Sequence, residues 1–312
     1  MENLIISLNC VIPIFCYMLV GCFAKWRKIV PDEVHSRISH LAFAVLLPFA
    51  MFANIYSADL SGAFSPQLLA YMLGGNTVLF LLSMAYCFRA VPDRRRRGLY
   101  IQNVYRSNIV IIGLVLAQSL MGSESLAAMS IVATFLVPLY NAFAIIALEL
   151  CRGGQVHAKE LCVSICKNPL IVGAAAGILF VVLGIDLPQS VESAISELGS
   201  TASVITMVAL GATFEFRSLK SNAKLLTLLT VIRLIAAPAV LIFGAMALGF
   251  RGDELAIVML CAASPIATSV YPMALVYDSD DSLSGQVVVT TSFFCCFTLF
   301  LWIFALKQFG LI

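Results

Sequence analysis

The sequence predicts an all-α polytopic membrane protein with ten transmembrane helices arranged as two inverted five-helix repeats. Three observations lead to this fold class: the apolar composition, the regular spacing of apolar segments, and interruptions at matching places in the two halves. Of the 312 residues, 61% are hydrophobic and 12% are charged, and the mean hydropathy is +0.99. A soluble protein cannot bury that much apolar surface, so most of this surface is expected to face lipid.

The predicted spans follow from the length of a membrane-crossing helix, which is about 20 mostly apolar residues at ~1.5 Å per residue. The first span begins directly after residues 1–3 without the basic region of a signal peptide, so it is expected to be retained. The ten spans cover residues 3–24, 36–56, 67–88, 98–121, 125–150, 168–185, 190–214, 223–249, 253–277 and 283–306.

The lysines and arginines predict the orientation, because cytoplasmic connections are enriched in positive residues. Most of the 19 lysines and arginines fall in alternate connections between spans. Both termini are therefore expected outside the cytoplasm, in a multi-pass protein of the plasma membrane. The positive connections contain Lys25, Arg27, Lys28 and Arg37; Arg89 and Arg94 to Arg97; Arg152, Lys159 and Lys167; and Arg217, Lys220 and Lys224.

The fourth span is interrupted by polar residues at membrane depth. Arg106, Ser107 and Asn108 precede an unbroken apolar run of only nine residues, 109–117. A run that short cannot cross a bilayer, and polar groups at this depth are tolerated only inside protein or beside a wet cavity. We therefore predict a broken helix that lines a site.

The ninth span shows the same kind of interruption. Its apolar run, residues 255–263, is followed by Ser264, Pro265 and Thr268, with Pro272 further on. Each proline removes a backbone donor and clashes with the preceding turn, so this helix is expected to open in its middle. The half-helices that follow such gaps would present unpaired N–H groups to an anion. Interruptions at matching places in two halves indicate a transporter binding site.

The two halves also correspond in spacing. A shift of 156 or 157 positions brings Pro13 onto Pro169 and Asn108 onto Pro265, and lays each span of the first half on one of the second. Five spans per half is an odd number, so the halves would have opposite orientations in the membrane. We predict a first repeat over residues 1–150, a cytoplasmic linker over 151–167 and a second, inverted repeat over 168–312.

A family resemblance rests on short motifs in the same order along the chain. Arg106-Ser107-Asn108, followed by Gly113-Leu114, resembles the fourth span of the auxin efflux carrier family. The resemblance covers essentially the whole chain. The other matching motifs are Asn168-Pro169-Leu170, Ala209-Leu210-Gly211, Ser264-Pro265 with Ala274 and Tyr277, and the segment from Ser292 onward.

The resemblance implies a fold and a function. The family is expected to have an NhaA-like fold in which broken helices 4 and 9 cross. Its plant members export auxin, a carboxylate hormone, and its bacterial members are regarded as organic-acid permeases. The resemblance also implies an elevator-like movement of the crossing helices and assigns the crossing point to Asn108.

Seven residues are predicted to bind substrate, and structural roles remain open for several of them. Asn108 and Asn141 are also of the type that forms hydrogen bonds between helices. Arg106 would either draw organic anions into a cavity or extend to the cytoplasmic surface. Arg233, in the eighth span, has no partner that the sequence identifies. The predicted residues are Arg106, Ser107, Asn108, Asn141, Ser264, Pro265 and Thr268.

The scarcity of acidic residues at membrane depth favours an anion as substrate. Residues 98–121 and 255–277, which contain the two interruptions, have no aspartate or glutamate, whereas cation carriers need intramembrane carboxylates. Glu197 is the one carboxylate that would serve proton coupling. A sodium- or proton-coupled carrier of another solute, and a non-transporting receptor or channel, remain alternatives.

Other classes of protein find no support in the sequence. There is no G-x-x-x-x-G-K-[ST] motif for ATP, no C-x-x-C pair among the 10 cysteines and no histidine at metal-ligand spacing, so we expect neither an enzyme nor a cofactor or metal. There is no basic domain for nucleic acid. The expected partners are a small organic anion and the bilayer. Small residues in the sixth and seventh spans suit either a packed scaffold or a homodimer face.

Overall fold

The computed structural model of the chain describes residues 2–29, 31–57, 65–114, 116–117, 121, 123–152, 163, 166–213 and 216–312. Nearly all regular secondary structure in these ranges is helical, and the exception is an isolated β-bridge between Ser107 and Ile266. The all-α class predicted from the composition is therefore confirmed.

The described helices follow one another along the chain, and three π-helical turns lie next to them. The turn π1 joins α2 to α3, and π3 joins α10 to α11, so each forms one continuous rod. The α-helices are α1 (Glu2–Trp26), α2 (Asp32–Leu41), α3 (Leu47–Tyr56), α4 (Pro66–Ala90), α5 (Arg94–Tyr105), α6 (Ser123–Arg152), α7 (Pro169–Val182), α8 (Gln189–Thr213), α9 (Phe216–Ser221), α10 (Ala223–Val231), α11 (Ala237–Ala247), α12 (Gly252–Ala263), α13 (Val270–Val276) and α14 (Asp281–Gln308). The π-turns are π1 (Ala42–Leu46), π2 (Ile109–Gly113) and π3 (Ile232–Ala236).

Within the described ranges, six helical stretches are long and apolar enough to cross a membrane. They correspond to the second, third, fifth, seventh, eighth and tenth predicted spans. Shorter apolar helices, Ile12–Trp26 and Pro169–Val182, fall in the first and sixth, while the fourth and ninth are each broken near the middle. A multi-pass helical protein is thus supported, and the number ten stays a prediction. The six stretches are Arg37–Tyr56, Pro66–Ala90, Ala127–Arg152, Gln189–Ala212, Ala223–Ala247 and Asp281–Gln308.

Several helices begin at a residue that the sequence marks as a cap. The side chains of Ser65, Asp93, Asn168 and Asp280 precede α4, α5, α7 and α14, and each accepts a hydrogen bond from a backbone N–H two or three residues further on. Such a cap satisfies one of the N–H groups that have no partner inside the helix. Proline at the first helical position also fits the starts of α4 and α7.

The helices pack as two bundles. The wall bundle consists of α1, α2 with π1, α3, α7 and α8, in which α1 packs along α8 and α3 packs against both α7 and α8. The crossing bundle consists of α4 to α6 and α10 to α14, and it includes π2 and π3. The bundles touch mainly where α1 meets α14, α13 meets α2, and α6 meets α7.

Close approach of backbones holds the wall bundle together. A Cβ atom added at Gly211 on α8 would lie 2.1 Å from the carbonyl oxygen of Met18 on α1. One added at Gly173 on α7 would lie 2.3 Å from the carbonyl oxygen of Pro48 on α3. These distances exclude any side chain, so the small residues of the sixth and seventh spans serve the packing of a scaffold at these positions.

The outer surface is apolar, as a lipid solvent requires. Large hydrophobic side chains such as Leu82, Tyr86, Phe243 and Leu301 are more than half exposed. On a soluble protein, contiguous surface of this kind marks an interaction site or an aggregation hazard. Here it covers the long helices, and it is consistent with helices that face hydrocarbon.

Candidate functional site

The first interruption lies after α5, where the chain leaves the helix for three residues. Arg106 is extended, with φ −86° and ψ 102°, and Asn108 has φ −89° and ψ 64°. The chain becomes helical again at π2, which begins at Ile109. The broken helix predicted for the fourth span is therefore present, and its gap spans the polar residues that predicted it.

The second interruption lies after α12 and has a clear local cause. Ser264 is extended, with φ −61° and ψ 148°. The residue before a proline is driven out of the α-helical region by the proline ring, so Pro265 fixes this conformation. The helix resumes with α13 at Val270.

The two interruptions meet and pair with each other. Ser107 and Ile266 form an antiparallel bridge, and the backbone N–H of Asn108 donates to the carbonyl oxygen of Pro265 at 2.8 Å. The N–H of Ile266 donates to the Thr291 hydroxyl on α14 at 3.4 Å. Some of the backbone groups freed by the gaps are thus satisfied inside the crossing. That the remaining N–H groups at the half-helix ends serve an anion stays a prediction.

A cavity of about 690 Å³ lies between the two bundles, beside this crossing. A smaller cavity of about 230 Å³ extends along α6 and shares with the larger cavity the lining residues Met51, Ala53, Asn54, Val110, Val137 and Ser196. From the wall bundle, the larger cavity is lined by Pro13, Ile14, Tyr17, Leu47, Ala50, Met51, Ala53, Asn54, Leu170, Ser196, Gly199, Ser200, Thr201, Ser203, Val204 and Met207. From the crossing bundle, it is lined by Arg106, Ser107, Asn108, Ile109, Val110, Val137, Tyr140, Asn141, Ala267, Thr268 and Ser269.

Among the described lining residues Arg106 is the charged one, and its hydrogen-bond partners are neutral. It is 2% exposed, so it does not extend to the aqueous surface as the alternative interpretation required. Its terminal nitrogens donate to Gln102 Oε1 at 2.6 Å, Asn141 Oδ1 at 2.6 Å, Ser269 Oγ at 2.9 Å and Met273 Sδ at 2.9 Å. Among the described residues, no aspartate or glutamate forms an ion pair with it or lines the cavity.

Asn108 carries a buried hydrogen-bond donor that lacks an acceptor. The side chain is 6% exposed and lines the cavity, and its Nδ2 atom has no hydrogen-bond partner in the described part of the chain. An unsatisfied buried amide costs about 1–3 kcal/mol, so such groups call for an explanation. A ligand oxygen in the cavity would satisfy it.

The structure separates the seven predicted residues into two groups. Ser264 and Pro265 do not line the cavity: the Ser264 hydroxyl donates to the Leu260 carbonyl at 2.7 Å, and the Pro265 carbonyl accepts from Asn108. Both shape the backbone of the crossing. The residues that line the cavity are Arg106, Ser107, Asn108, Asn141 and Thr268.

Arg233, for which the sequence identified no partner, lies behind the crossing. It is 1% exposed on π3 and does not line the cavity. Its Nε donates to the carbonyl of Ser264 at 3.1 Å and its Nη1 to that of Val104 at 3.0 Å, while Nη2 donates to the carbonyl of Ala262. Its partners are thus backbone oxygens at the ends of α5 and α12, not a carboxylate.

Sequence reasoning missed several polar groups of the site. The Tyr140 hydroxyl lies 3.3 Å from Ser107 Oγ and donates to Asn76 Oδ1 at 3.2 Å. The sequence did not predict Ser269 as a site residue, although its hydroxyl accepts a hydrogen bond from Arg106. On α8, Ser196, Ser200 and Ser203 recur at helical spacing, which is a detectable signal for one polar face.

The carboxylate predicted for proton coupling, Glu197, is not part of the described cavity lining. It is exposed. Within the part of the chain that the structure describes, no cluster of three or more histidine, cysteine, aspartate or glutamate side chains is arranged to hold a metal ion.

Two helices broken at a common crossing, beside a cavity between two bundles with an apolar exterior, are features of membrane transporters. The family model described as "Membrane transport protein" matches residues 6–150 and 155–303. The chain belongs to this family, which confirms the predicted resemblance to the auxin efflux carriers at family level. The match indicates a transporter rather than an enzyme.

Two archaeal relatives carry a consistent description. A protein of Methanothermobacter thermautotrophicus described as an uncharacterized transporter is 23% identical over 304 residues, which cover 95% of this chain and 97% of the relative. A protein of Methanocaldococcus jannaschii with the same description is 21% identical over 314 residues, which cover 95% of this chain and 98% of the relative. The similarity to each relative extends along nearly the full length of both proteins.

Proposed function

We propose that the chain is a secondary transporter or facilitator of a small organic carboxylate, bound in the cavity beside the crossing. The observation that carries this proposal is the pairing of Arg106 with neutral side chains alone, next to the unpartnered Asn108 donor. The cavity volume falls within the usual range for small-molecule sites.

Charge balance favours an anion over a cation. A buried guanidinium without a carboxylate leaves a net positive charge in a region of low dielectric, where electrostatic attraction is strong. A substrate carboxylate would neutralise that charge and accept from Arg106 and Asn108 together. Charge-assisted hydrogen bonds of this kind are about twice as strong as neutral ones.

Each of the seven predicted residues has a proposed role. Arg106 binds the carboxylate, and Asn108 donates to its second oxygen or to a neighbouring hydroxyl. Asn141 and Thr268 orient Arg106 and the polar end of the substrate, while Ser107 is held by Tyr140. The apolar side chains of the wall bundle would contact the body of the substrate. Ser264 and Pro265 keep the second interruption open and act on binding through the backbone.

The proposed architecture has ten spans in two inverted repeats, residues 1–150 and 168–312, joined by the linker 151–167. Helices 4 and 9 of this scheme correspond to α5 with π2 and to α12 with α13. The matched positions of the two breaks and their contact support this arrangement. The linker lies largely outside the described residues.

We further propose that the crossing bundle moves against the wall bundle in an elevator-like manner. Two observations support this: the cavity lies between the bundles, and the ends of the crossing helices are tied together within one bundle. The carbonyl of Arg95 on α5 accepts from the backbone N–H of Asp280 at 3.0 Å and from the Ser279 hydroxyl at 2.6 Å, just after α13. The crossing would then move as one body.

Two ion pairs at this end of the crossing bundle support the proposed orientation in the plasma membrane. Arg96 pairs with Asp280 at 3.0 Å and Arg152 with Asp278 at 2.9 Å. Positive residues from two connections predicted to be cytoplasmic therefore meet on one side, and both termini would lie on the other. In the absence of an ATP motif, gradients or the membrane potential would drive transport, at about 2.3 kcal/mol per charge per 100 mV.

The proposal is tested with purified protein and a panel of carboxylates. We expect a member of the set lactate, benzoate, succinate and malate to raise the melting temperature and to support counterflow in liposomes. The corresponding amides, which lack the charge, serve as chemical controls. Arg106→Ala and Asn108→Ala should abolish or strongly reduce both effects, while the exposed variant Arg251→Ala retains them.

Two results would contradict the proposal. One is an equal response to a carboxylate and its amide, which would remove the role of charge. The other is undiminished stabilisation and counterflow in both cavity variants, which would move the site elsewhere. Loss of uptake when choline replaces sodium would instead favour a sodium-coupled carrier.

A further inference from the structure

We propose that Arg233 is a built-in counter-charge for the crossing, placed where a coupling cation would otherwise have to bind, so that transport needs no inorganic cation. The inference rests on the proposed function, because it concerns how this crossing carries an anion. It assigns a positioning role to a residue outside the cavity.

The geometry of Arg233 is that of a cation held by a cage of carbonyl oxygens. Val104 and Ala262 are the next-to-last residues of α5 and α12, and Ser264 follows the end of α12. The last carbonyls of a helix have no partner within it. One guanidinium donates to the carbonyls of all three residues, and thereby joins the ends of both broken helices from a third helix.

The charges balance at this point. Each helix C-terminus carries roughly half a negative charge, so the two ends that Arg233 contacts amount to about one, while the positive N-terminal ends of π2 and α13 begin only after the gaps. Arg233 supplies one positive charge, and none of the described carboxylates pairs with it. Backbone carbonyls at such ends are also the ligands that unwound transporter helices offer to a coupling cation. In this chain the guanidinium already occupies them.

The arrangement has a consequence for the cavity. Because Arg233 offsets the negative helix ends from behind, those ends do not offset the charge of Arg106 in front. Arg106 is therefore left to be neutralised by the substrate. The two arginines together make the crossing selective for anions without the help of a bound ion.

Without the Arg233 guanidinium, transport and stability of the protein should depend on an added cation. We expect Arg233→Ala to lose on the order of tenfold or more in counterflow rate, since buried carbonyls lose their donors. Millimolar guanidinium chloride should restore part of the rate and raise the melting temperature of this variant. Neither the wild type nor Arg251→Ala should gain from it.

Arg251 is the matched control for this experiment. Its guanidinium also donates to backbone carbonyls, those of Met246 at 3.0 Å and Phe250 at 2.6 Å, near the end of α11. It is exposed, so water replaces it when it is removed. A rescue by guanidinium in both variants would indicate a general effect of the salt and would overturn the proposal.

A second pair of variants keeps the inference testable if Arg233→Ala does not fold. Arg233→Lys retains the charge and Arg233→Met retains the length without it. We expect the order wild type, Lys, Met in both melting temperature and counterflow. A Met variant equal to or better than the Lys variant would overturn the proposal, and so would a wild type that requires sodium.

The two proposals can fail separately. The effect of guanidinium on the melting temperature of Arg233→Ala needs no substrate, so it reports on the counter-charge even if no carboxylate is carried. Conversely, carboxylate transport that depends on sodium in the wild type would preserve the substrate class and reject the role of Arg233.

Discussion

Two arginines are buried at the same crossing, and they differ in what satisfies them. Arg106 lines the cavity, and its oxygen partners are the side chains of Gln102, Asn141 and Ser269. Arg233 lies behind the crossing and donates to backbone carbonyls. Side-chain acceptors can rotate and exchange for a ligand, whereas helix carbonyls are fixed. In the proposed function, Arg106 is therefore the charge that binds the substrate, whereas Arg233 stabilises the crossing.

The largest expected effect comes from replacing each arginine by methionine. Arg233→Met should lower the free energy of unfolding by about 3 kcal/mol or more, since three buried acceptors lose their donors at roughly 1–3 kcal/mol each. Arg106→Met should destabilise less and should instead abolish stabilisation by carboxylates. Unfolding of both variants in the same detergent, with and without ligand, measures the difference. Equal destabilisation by Arg233→Met and Arg106→Met would contradict the different roles proposed for the two arginines.

A second prediction converts Arg106 into a paired charge. Asn141 Oδ1 accepts from Arg106 at 2.6 Å, so Asn141→Asp would place a carboxylate against the guanidinium. We expect carboxylate affinity to fall roughly 100-fold, as for the loss of a charged hydrogen bond. Asn141→Ala removes only a neutral acceptor and should cost about tenfold or less. Titration by melting temperature distinguishes them, and an Asp variant that binds like the wild type would show that Arg106 does not contact the substrate.

The smallest expected effect concerns the neutral support of the first interruption. Tyr140 connects Ser107 to Asn76 through its hydroxyl. Tyr140→Phe should lower stability by about 1 kcal/mol, a typical net value for one neutral hydrogen bond. If Tyr140→Phe lowered the free energy of unfolding as much as Arg233→Met, the charge of Arg233 would not explain its larger contribution to the stability of the crossing.

The interruptions were predictable because their causes are local. Pro265 dictates the conformation of Ser264, and the polar run at Arg106 is incompatible with a helix in lipid. The bounds of uninterrupted helices were also close: residues 67–88 were expected where Pro66–Ala90 is found. Apolar length and capping residues are enough to locate such helices.

The roles of the polar side chains were less accessible. Ser264 and Pro265 share a sequence pattern with Thr268, yet only Thr268 lines the cavity, since side-chain direction in an unwound segment depends on the helices packed around it. The sequence identified no partner for Arg233. Its acceptors are main-chain oxygens, which every residue possesses, so no pattern of residue types reveals them.

The contact of Gly211 with the Met18 carbonyl has a mechanical meaning. Helices separated by bulky side chains can repack when they slide, but α1 and α8 are interlocked without room for a methyl group. The wall bundle is therefore rigid along this contact, so the proposed elevator-like movement would have to occur beside the cavity, between the wall bundle and the crossing bundle. We expect a cross-link between α1 and α8 to leave transport unchanged. A cross-link between Val204 of the wall bundle and Ile109 of the crossing bundle should stop transport.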